Sequence, residues 1–584
     1  MKILLLTHAY NCLCQRLHIE LVQMGHEVSI EFDINDDITC DAVMRFQPEL
    51  IIAPFLKRAI PDAIWQNTLC WIVHPGVIGD RGPSSLDWAI INQEETWGVT
   101  IIQANEVMDG GDIWASVEFP MRNTCKSSIY RQEVTQAAIT GIKQALERHA
   151  DEHFKPHPLS TLDSTAKGQW RGVLTQADRA IDWQQDGSEV VVRKIHSADG
   201  NPGLLAELFG QQVYLFNASI AHDLQGTPGE VIAQKNGAIA IATRDSAVWV
   251  SHLRKKPDDE KKLTLKLPAA EVLSGLLSEQ LHTIQLTNTD SQDYNEIWHE
   301  REGDIVYLHF NFYNGAMSTV QCQQLLTAYI KLATSNVKAI VLMGGNDFWS
   351  NGIHLNVIEH HASPADESWH NINAMNDLCQ AIIETTDKLT VAAINGNIGA
   401  GGVFLALACD LVTANDQVVF NPHYKSMGNL YGSEYWSYLL PRRVGHDMAQ
   451  SITQNRLPIG ALQANELGLI DGVFPKNEFF TQLTNKVQTA LAEPYFSEII
   501  TDKKLNREQD ETEKPLQQYR EQELEKMKLN FYGFDPSYHV ARYHFVYKLP
   551  KSRTPSYLAR HRIAGYTIGE HTQGAAAIFD SARC

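Results

Sequence analysis

Twice along this chain, short apolar runs alternate with amphipathic segments, and that recurrence constrains the fold more than any other feature. The first succession is KILLLT, a helix-like CQRLHIELVQMG, EVSIEF, a polar DINDD turn, ELIIAPF and LCWIVH. The second, from about residue 296, is IVYLHF, a helical pattern over 318–335, KAIVLMGG, a loop NDFWSNGIHL, a helix around 367–386, LTVAAINGN and LVTAND. Patterns of this kind indicate βαβ units and parallel sheets, so two separate α/β cores are expected. Between them EVIAQ, GAIAIATRD, AVWVSHLR and KKLTLKL, punctuated by TPGE and KNG, read as a small β-barrel module, and TNTDSQDYNE reads as a polar linker. The run REQDETEKPLQQYREQELEKMK reads as a solvated charged helix leading into an aromatic-rich tail. The expected architecture is an α/β multidomain chain: an open parallel-sheet core over 1–165, a small β-barrel module over 166–280, a second α/β domain over 281–490 and a helical tail over 491–584.

Charge narrows the function classes. Lys+Arg 49 against Asp+Glu 69 gives −20, of which residues 1–300 carry 25 − 40 = −15. An acid-rich surface repels phosphate backbones and anionic lipid, so neither nucleic acid nor membrane is expected as a partner. No apolar run reaches about 18 residues, and the N-terminal ILLLT is strand-like, so a soluble cytoplasmic protein is expected. The 9 cysteines are scattered without a C-x-x-C, which predicts neither a disulfide framework nor a metal site; Cys12-x-Cys14 reads as small buried residues.

Two strand ends carry the candidate chemistry. LCWIVH delivers His74 at the carboxyl end of a strand, followed by PGVIGDRGP; the next strand, GVTIIQANEVM, leads to Asp109-Gly110-Gly111-Asp112. HPGVIGDRGPSSLDWAI, GVTIIQANEVMDGGDI and, in the second module, ADRAIDW resemble the formyltransferase family that uses tetrahydrofolate as one-carbon carrier, over about residues 1–275. The resemblance implies that His74 polarises the formyl oxygen or relays a proton, that Asp109 orients the imidazole or aids proton transfer, and that Gly82 of the GDRGP loop belongs to the cofactor site. The family's third working residue, an Asn two before the His, is Ile72 here. An oxyanion donor of that kind is worth about 2.7 to 4 kcal/mol, so its loss points to an easier nucleophile, and a thiol fits.

The second pair is Phe348-Trp349-Ser350-Asn351-Gly352-Ile353 and Ile398-Gly399-Ala400-Gly401-Gly402, followed by ALACDLVTA. These segments resemble the two signatures of the enoyl-CoA hydratase/isomerase (crotonase) family over about residues 296–490. The resemblance implies that the backbone N–H groups of Ile353 and Gly401 hold a thioester oxyanion. The hydratase's two catalytic glutamates fall on Phe404 and Tyr424, which disfavours water addition, whereas GNLYGSEYW supplies Glu434 in a region where an acid is unusual. Tyr424 and Glu434 are therefore the expected catalytic pair, with proton chemistry different from a hydratase's.

In this order, formyltransferase, barrel and crotonase core resemble the HypX (HoxX) type of NiFe-hydrogenase maturation factor across almost the whole chain. The resemblance implies formyl transfer from 10-formyltetrahydrofolate to coenzyme A, then decarbonylation of formyl-CoA to CO and CoA, with hydrogenase maturation proteins as recipients of the CO. Candidate cations for the CoA phosphates are Arg16, Arg131 and Arg542. A conventional amine formyltransferase with a non-catalytic crotonase module, and a folate- and CoA-binding assembly protein, remain open alternatives.

Overall fold

The computed structural model describes residues 1–159, 168–259, 261–277, 282–283 and 294–563. Most of the expected TNTDSQDYNE linker and the last part of the tail lie outside the described residues. The chain forms two compact units: Met1–Ile232 with Ile239–Lys256 and the tail from Pro550 make the first, and Ala233–Ala238 with Pro257–Leu549 the second.

In the first unit, β1 (Lys2–Thr7), β2 (Glu27–Phe32), β3 (Leu50–Phe55), β4 (Cys70–His74), β5 (Thr96–Gln103) and β6 (Ile113–Pro120) form one sheet in the order β2-β1-β3-β4-β5-β6. The first four strands run parallel, as their apolar runs separated by helices predict. The sheet is not parallel throughout, because β5 pairs antiparallel with both β4 and β6. The turn after β5 is too short for a crossover helix and permits only a hairpin there. The barrel-like module contributes antiparallel strands Leu204–Leu208, Gln211–Ala221 and Ala247–Lys255, with Trp249 fully buried.

The edge strand β2 is covered by residues 550–563. Ile30 N–H donates to Leu558 O at 3.1 Å, and Phe32 N–H to Thr554 Oγ1 at 2.9 Å. Beneath them Glu31, fully buried, accepts from Arg562 at 2.8 Å and contacts His561 Nε2 at 3.0 Å. An open strand edge is thereby sealed.

The second unit is built on the strands Ile297–Glu302, Ile305–Phe310, Ala339–Leu342, Leu389–Ile394, Leu411–Asn415 and Gly472–Phe474, in that order. The first pair is antiparallel and the rest are parallel. A smaller sheet pairs Phe348–Ser350 with Asn397–Gly399, and Asn397–Gly399 with Val419–Asn421, which brings both signature loops to one place.

The charged tail is not simply a solvated face. In the helix Leu516–Tyr532, Leu516, Glu523, Met527 and Phe531 are buried, at spacings of seven, four and four that put them on one stripe. Its apolar members join the core that holds Phe310, Trp349 and Phe404. The abundant Glu and Lys of the other faces hide this stripe from a reading by composition.

Candidate active sites

His74 ends β4 and is buried. Its imidazole lies between two carboxylates: Nε2 faces Asp80 Oδ2 at 3.0 Å and Nδ1 faces Asp109 Oδ2 at 3.6 Å. Asp109 has a left-handed backbone (φ 52) and accepts the Gly82 N–H at 3.1 Å, so the two loops quoted from the sequence meet at the histidine. Gly82 itself stands at φ +118, and a Cβ there would lie 2.0 Å from Arg171 O, a position only glycine fills. Ile72, two residues before His74, shares its face of the strand and supplies no hydrogen-bond donor from its side chain.

Asp80 and Arg171 belong to this site and escaped the sequence reading. Asp80, 1% exposed, accepts from Arg171 Nη1 at 2.6 Å through the oxygen not used by His74. Arg171 comes from the start of the stretch assigned to the barrel module, 166–280, which there laces onto the His74 loop: Arg81 N–H donates to Gln169 O, and Arg171 N–H to Arg81 O. The signal was the Asp of GDRGP, a polar residue six after the histidine in a loop that must fold back over it.

In the second unit Gly401 opens the helix Gly401–Leu407 after Ala400, whose φ of 47 marks a strained turn. A Cβ on Gly352 would lie 3.1 Å from Gly401 N, so the Ile353 and Gly401 segments are in contact. Among the described residues, neither Ile353 N–H nor Gly401 N–H is bonded to a backbone or side-chain acceptor. Directly above Gly401 sits Glu434: a Cβ on Gly401 would fall 2.2 Å from Glu434 Oε1. Tyr424 Oη donates to Glu434 Oε2 at 2.5 Å, and its ring stacks on Phe404 with centroids 5.4 Å apart. The structure therefore brings together Gly401, Tyr424 and Glu434, with Ile353 on the adjoining loop.

Glu434 and Tyr435 both have left-handed backbones, at φ 60 and 58. Each such residue costs on the order of 1 kcal/mol, and the surroundings hold them. Glu434 N–H donates to Asn376 Oδ1 at 2.8 Å, and Tyr435 N–H to Glu523 Oε2 at 3.0 Å. Burial pushes the Glu434 carboxyl up to about 8; the bond from Tyr424 opposes this and the Glu523 charge adds to it. Burial likewise raises Glu523 to about 7 and holds the Tyr424 phenol well above its ordinary value. Asn376 and Glu523 were missed because the first lies in an apparently ordinary helix and the second within a charge run.

The three candidate phosphate ligands are engaged within their own units. Arg16 pairs with Glu20 at 2.6 Å, Arg131 reaches Ser127 Oγ at 3.4 Å, and Arg542 pairs with Glu359 at 2.7 Å beneath the Tyr538 ring. Among the described contacts within each unit, Arg16 and Arg131 do not join the His74 cluster and Arg542 does not join the Glu434 cluster. Among the described residues no group of three His, Cys, Asp or Glu side chains is arranged to hold a metal, and no helix is long and apolar enough to cross a membrane.

Comparison with known proteins matches residues 32–146 to the formyl transferase family, 173–267 to the formyl transferase C-terminal domain and 300–534 to the enoyl-CoA hydratase/isomerase family. Over 564 residues, 96% of this chain and 98% of the relative, it is 50% identical to the hydrogenase maturation factor HoxX of Bradyrhizobium diazoefficiens. The crystal structure of HypX from Aquifex aeolicus in complex with tetrahydrofolic acid is 48% identical, with a TM-score of 0.92 over 97% of this chain and 100% of that one. A 4-chlorobenzoyl coenzyme A dehalogenase of Arthrobacter is 29% identical over 185 residues, 31% of this chain and 66% of the relative.

Proposed function

Since this chain belongs to the HypX/HoxX family of hydrogenase maturation factors, we propose that it makes carbon monoxide in two steps, formyl transfer to coenzyme A followed by decarbonylation of formyl-CoA. The donor substrate is 10-formyltetrahydrofolate, in keeping with the tetrahydrofolic acid bound by the Aquifex relative. CO is the product handed on to hydrogenase assembly, and the site of action is the cytoplasm.

In the first step the CoA sulfur forms a bond to the formyl carbon as the bond to the folate nitrogen breaks. His74 polarises the formyl oxygen or relays the thiol proton toward that nitrogen, oriented by Asp109 and Asp80. A thiol reaches its nucleophilic form near neutral pH, which compensates for Ile72 in place of an amide donor. Arg16, Arg131 and Arg542 remain the proposed phosphate ligands, each by exchanging its present partner for a phosphate.

The decisive observation is the Tyr424–Glu434 pair above Gly401. The bare Cα of Gly401 and the two unspent N–H groups fit a thioester carbonyl. Formyl-CoA has no α-carbon and nothing to hydrate, which suits a pocket where Phe404 replaces a hydratase carboxylate. Glu434 takes the formyl proton, the C–S bond breaks with its electrons on sulfur, CO leaves, and Glu434 returns the proton to the thiolate. A carboxyl near 8 is close to an ordinary thiol at about 8.5 and serves both transfers.

Incubation with 10-formyltetrahydrofolate and CoA, scored by CO capture on ferrous haemoglobin, tests the reading. CO production supports it. Formylated amine without CO identifies a conventional formyltransferase, and no product at all identifies an assembly protein.

A further inference from the structure

We infer that Glu523, carried by the C-terminal helix Leu516–Tyr532, is a positioning residue of the second site: its carboxylate fixes the loop after Glu434 and keeps Glu434 a strong enough base to take the formyl proton. The inference rests on the decarbonylation reading. It begins from placement, because Glu523 is fully buried on the same stripe as Leu516, Met527 and Phe531. A helix that only packed there would carry an apolar side chain at that register, since an unpaired buried carboxylate is costly.

Each of its oxygens is aimed at the Glu434 loop. Oε2 accepts from Tyr435 N–H at 3.0 Å, while Oε1 accepts from Ser437 N–H at 2.8 Å and from Ser437 Oγ at 2.6 Å. These bonds pin the two consecutive left-handed residues that swing the Glu434 carboxyl over Gly401. No ion pair to Glu523 is present among the described residues, so its charge acts on Glu434 uncompensated. Arg520, one turn earlier, is spent on Asp377, Asn373 and Gln380.

The other groups around the pair are acids or neutral. Tyr424 and Ser433 belong to Glu434's own loop, Asn376 and Cys379 come from the helix Pro364–Ile383, and Cys322 from the helix Thr319–Ala333. Tyr431 and Tyr435 flank Glu523. Two carboxyls in one low-dielectric pocket raise each other's proton affinity.

The test follows CO release from supplied formyl-CoA by the full-length protein as a function of pH. Glu523→Gln keeps a side-chain oxygen for the backbone donors and removes the charge. The acid limb set by Glu434 then moves about one pH unit toward acid, with a lower plateau. A limb at the wild-type position in a variant with wild-type near-ultraviolet circular dichroism overturns the inference. Infrared difference titration of the carboxyl bands in Glu523→Gln needs no turnover. The Glu434 band, which in the wild type titrates after Glu523 is already ionised, then titrates at lower pH, and an unmoved band overturns the inference even if CO release is lost. A moved Glu434 band with CO release intact in Glu434→Gln supports the coupling and sinks the reading of Glu434 as the base.

Discussion

Tyr424 Oη and Glu434 Oε2 lie 2.5 Å apart inside a pocket closed by Phe404, Gly432 and the helix that starts at Gly401. The phenol is the donor, so it stabilises the ionised form of a carboxyl that burial drives toward its acid form. Such a pair is balanced between two protonation states, as a group that must accept and then return one proton requires.

Removing either member separates the two steps of the proposed reaction. Glu434→Gln abolishes the proton acceptor and should slow CO release from formyl-CoA by about 10²- to 10⁴-fold. Tyr424→Phe raises the proton affinity of Glu434 without removing it and should cost less. Folate-dependent formylation of CoA, followed by chromatography of formyl-CoA, should survive both. Unchanged CO output in both variants rules out the assignment.

The same burial makes the second unit sensitive to alkali. Glu434 and Glu523 titrate at about 8 and about 7 when folded, above the unfolded value near 4.3. Their contribution is complete below the unfolded value and is lost as pH rises through the folded ones, because the unfolded chain releases those protons first. Each group weakens the fold by about 1.4 kcal/mol per pH unit in that window before coupling is counted. Urea midpoints should fall from pH 5 to pH 8, and more steeply in the wild type than in Glu434→Gln.

Gly401→Ala tests the geometry with one methyl group. The new Cβ would sit 2.2 Å from Glu434 Oε1, and the carboxylate must leave its place above the oxyanion donors. CO release should drop by at least about 10²-fold, in line with the loss of a positioned donor or base, while stability falls only by the roughly 1 to 3 kcal/mol of one overpacked methyl. A variant with wild-type CO release would show that Glu434 does not act from its present position.

Much of this was legible in the chain itself. The strands of both cores follow from apolar runs, which act locally, while the meeting of His74 with Asp109 and the grouping of Gly401, Tyr424 and Glu434 were implied by the resemblance of their loop motifs to the formyltransferase and crotonase families. Asp80 pairing with Arg171, and Glu523 lodging behind Glu434, join residues 91 and 89 positions apart in sequence. Nothing near Arg171 or Glu523 in the chain announces a partner. Glu523 was further disguised by a helix whose other faces carry most of its charge, so that its register with Leu516, Met527 and Phe531 was the one available clue.

The tail on the first unit predicts sensitivity of the opposite sign. Burial alone would raise Glu31, yet the bonds from His561, Thr554 and Arg562 outweigh it and hold the carboxyl below its ordinary value. That contribution is present above the unfolded value and lost as pH falls through the folded one. Arg562→Ala should lower the stability of the first unit near neutral pH, with the difference from the wild type shrinking below about pH 4. Proteolysis of the edge at β2, followed by mass spectrometry, reads this unit separately.

Arg171 tests the first site in the same way. Its guanidinium lies 2.6 Å from an Asp80 oxygen that is otherwise sealed from water, and removing one partner of a buried pair typically costs about 3 to 5 kcal/mol. Arg171→Ala should therefore lower the denaturant midpoint sharply and impair formyl transfer, because Asp80 left without its cation pulls His74 away from Asp109. The double variant Asp80→Asn with Arg171→Met removes both charges and should regain much of the stability. Formyl transfer should stay low in it, since His74 then lacks one of its two carboxylate contacts. Recovery of transfer together with stability would mean that Asp80 and Arg171 hold the loop and leave the histidine to Asp109 alone.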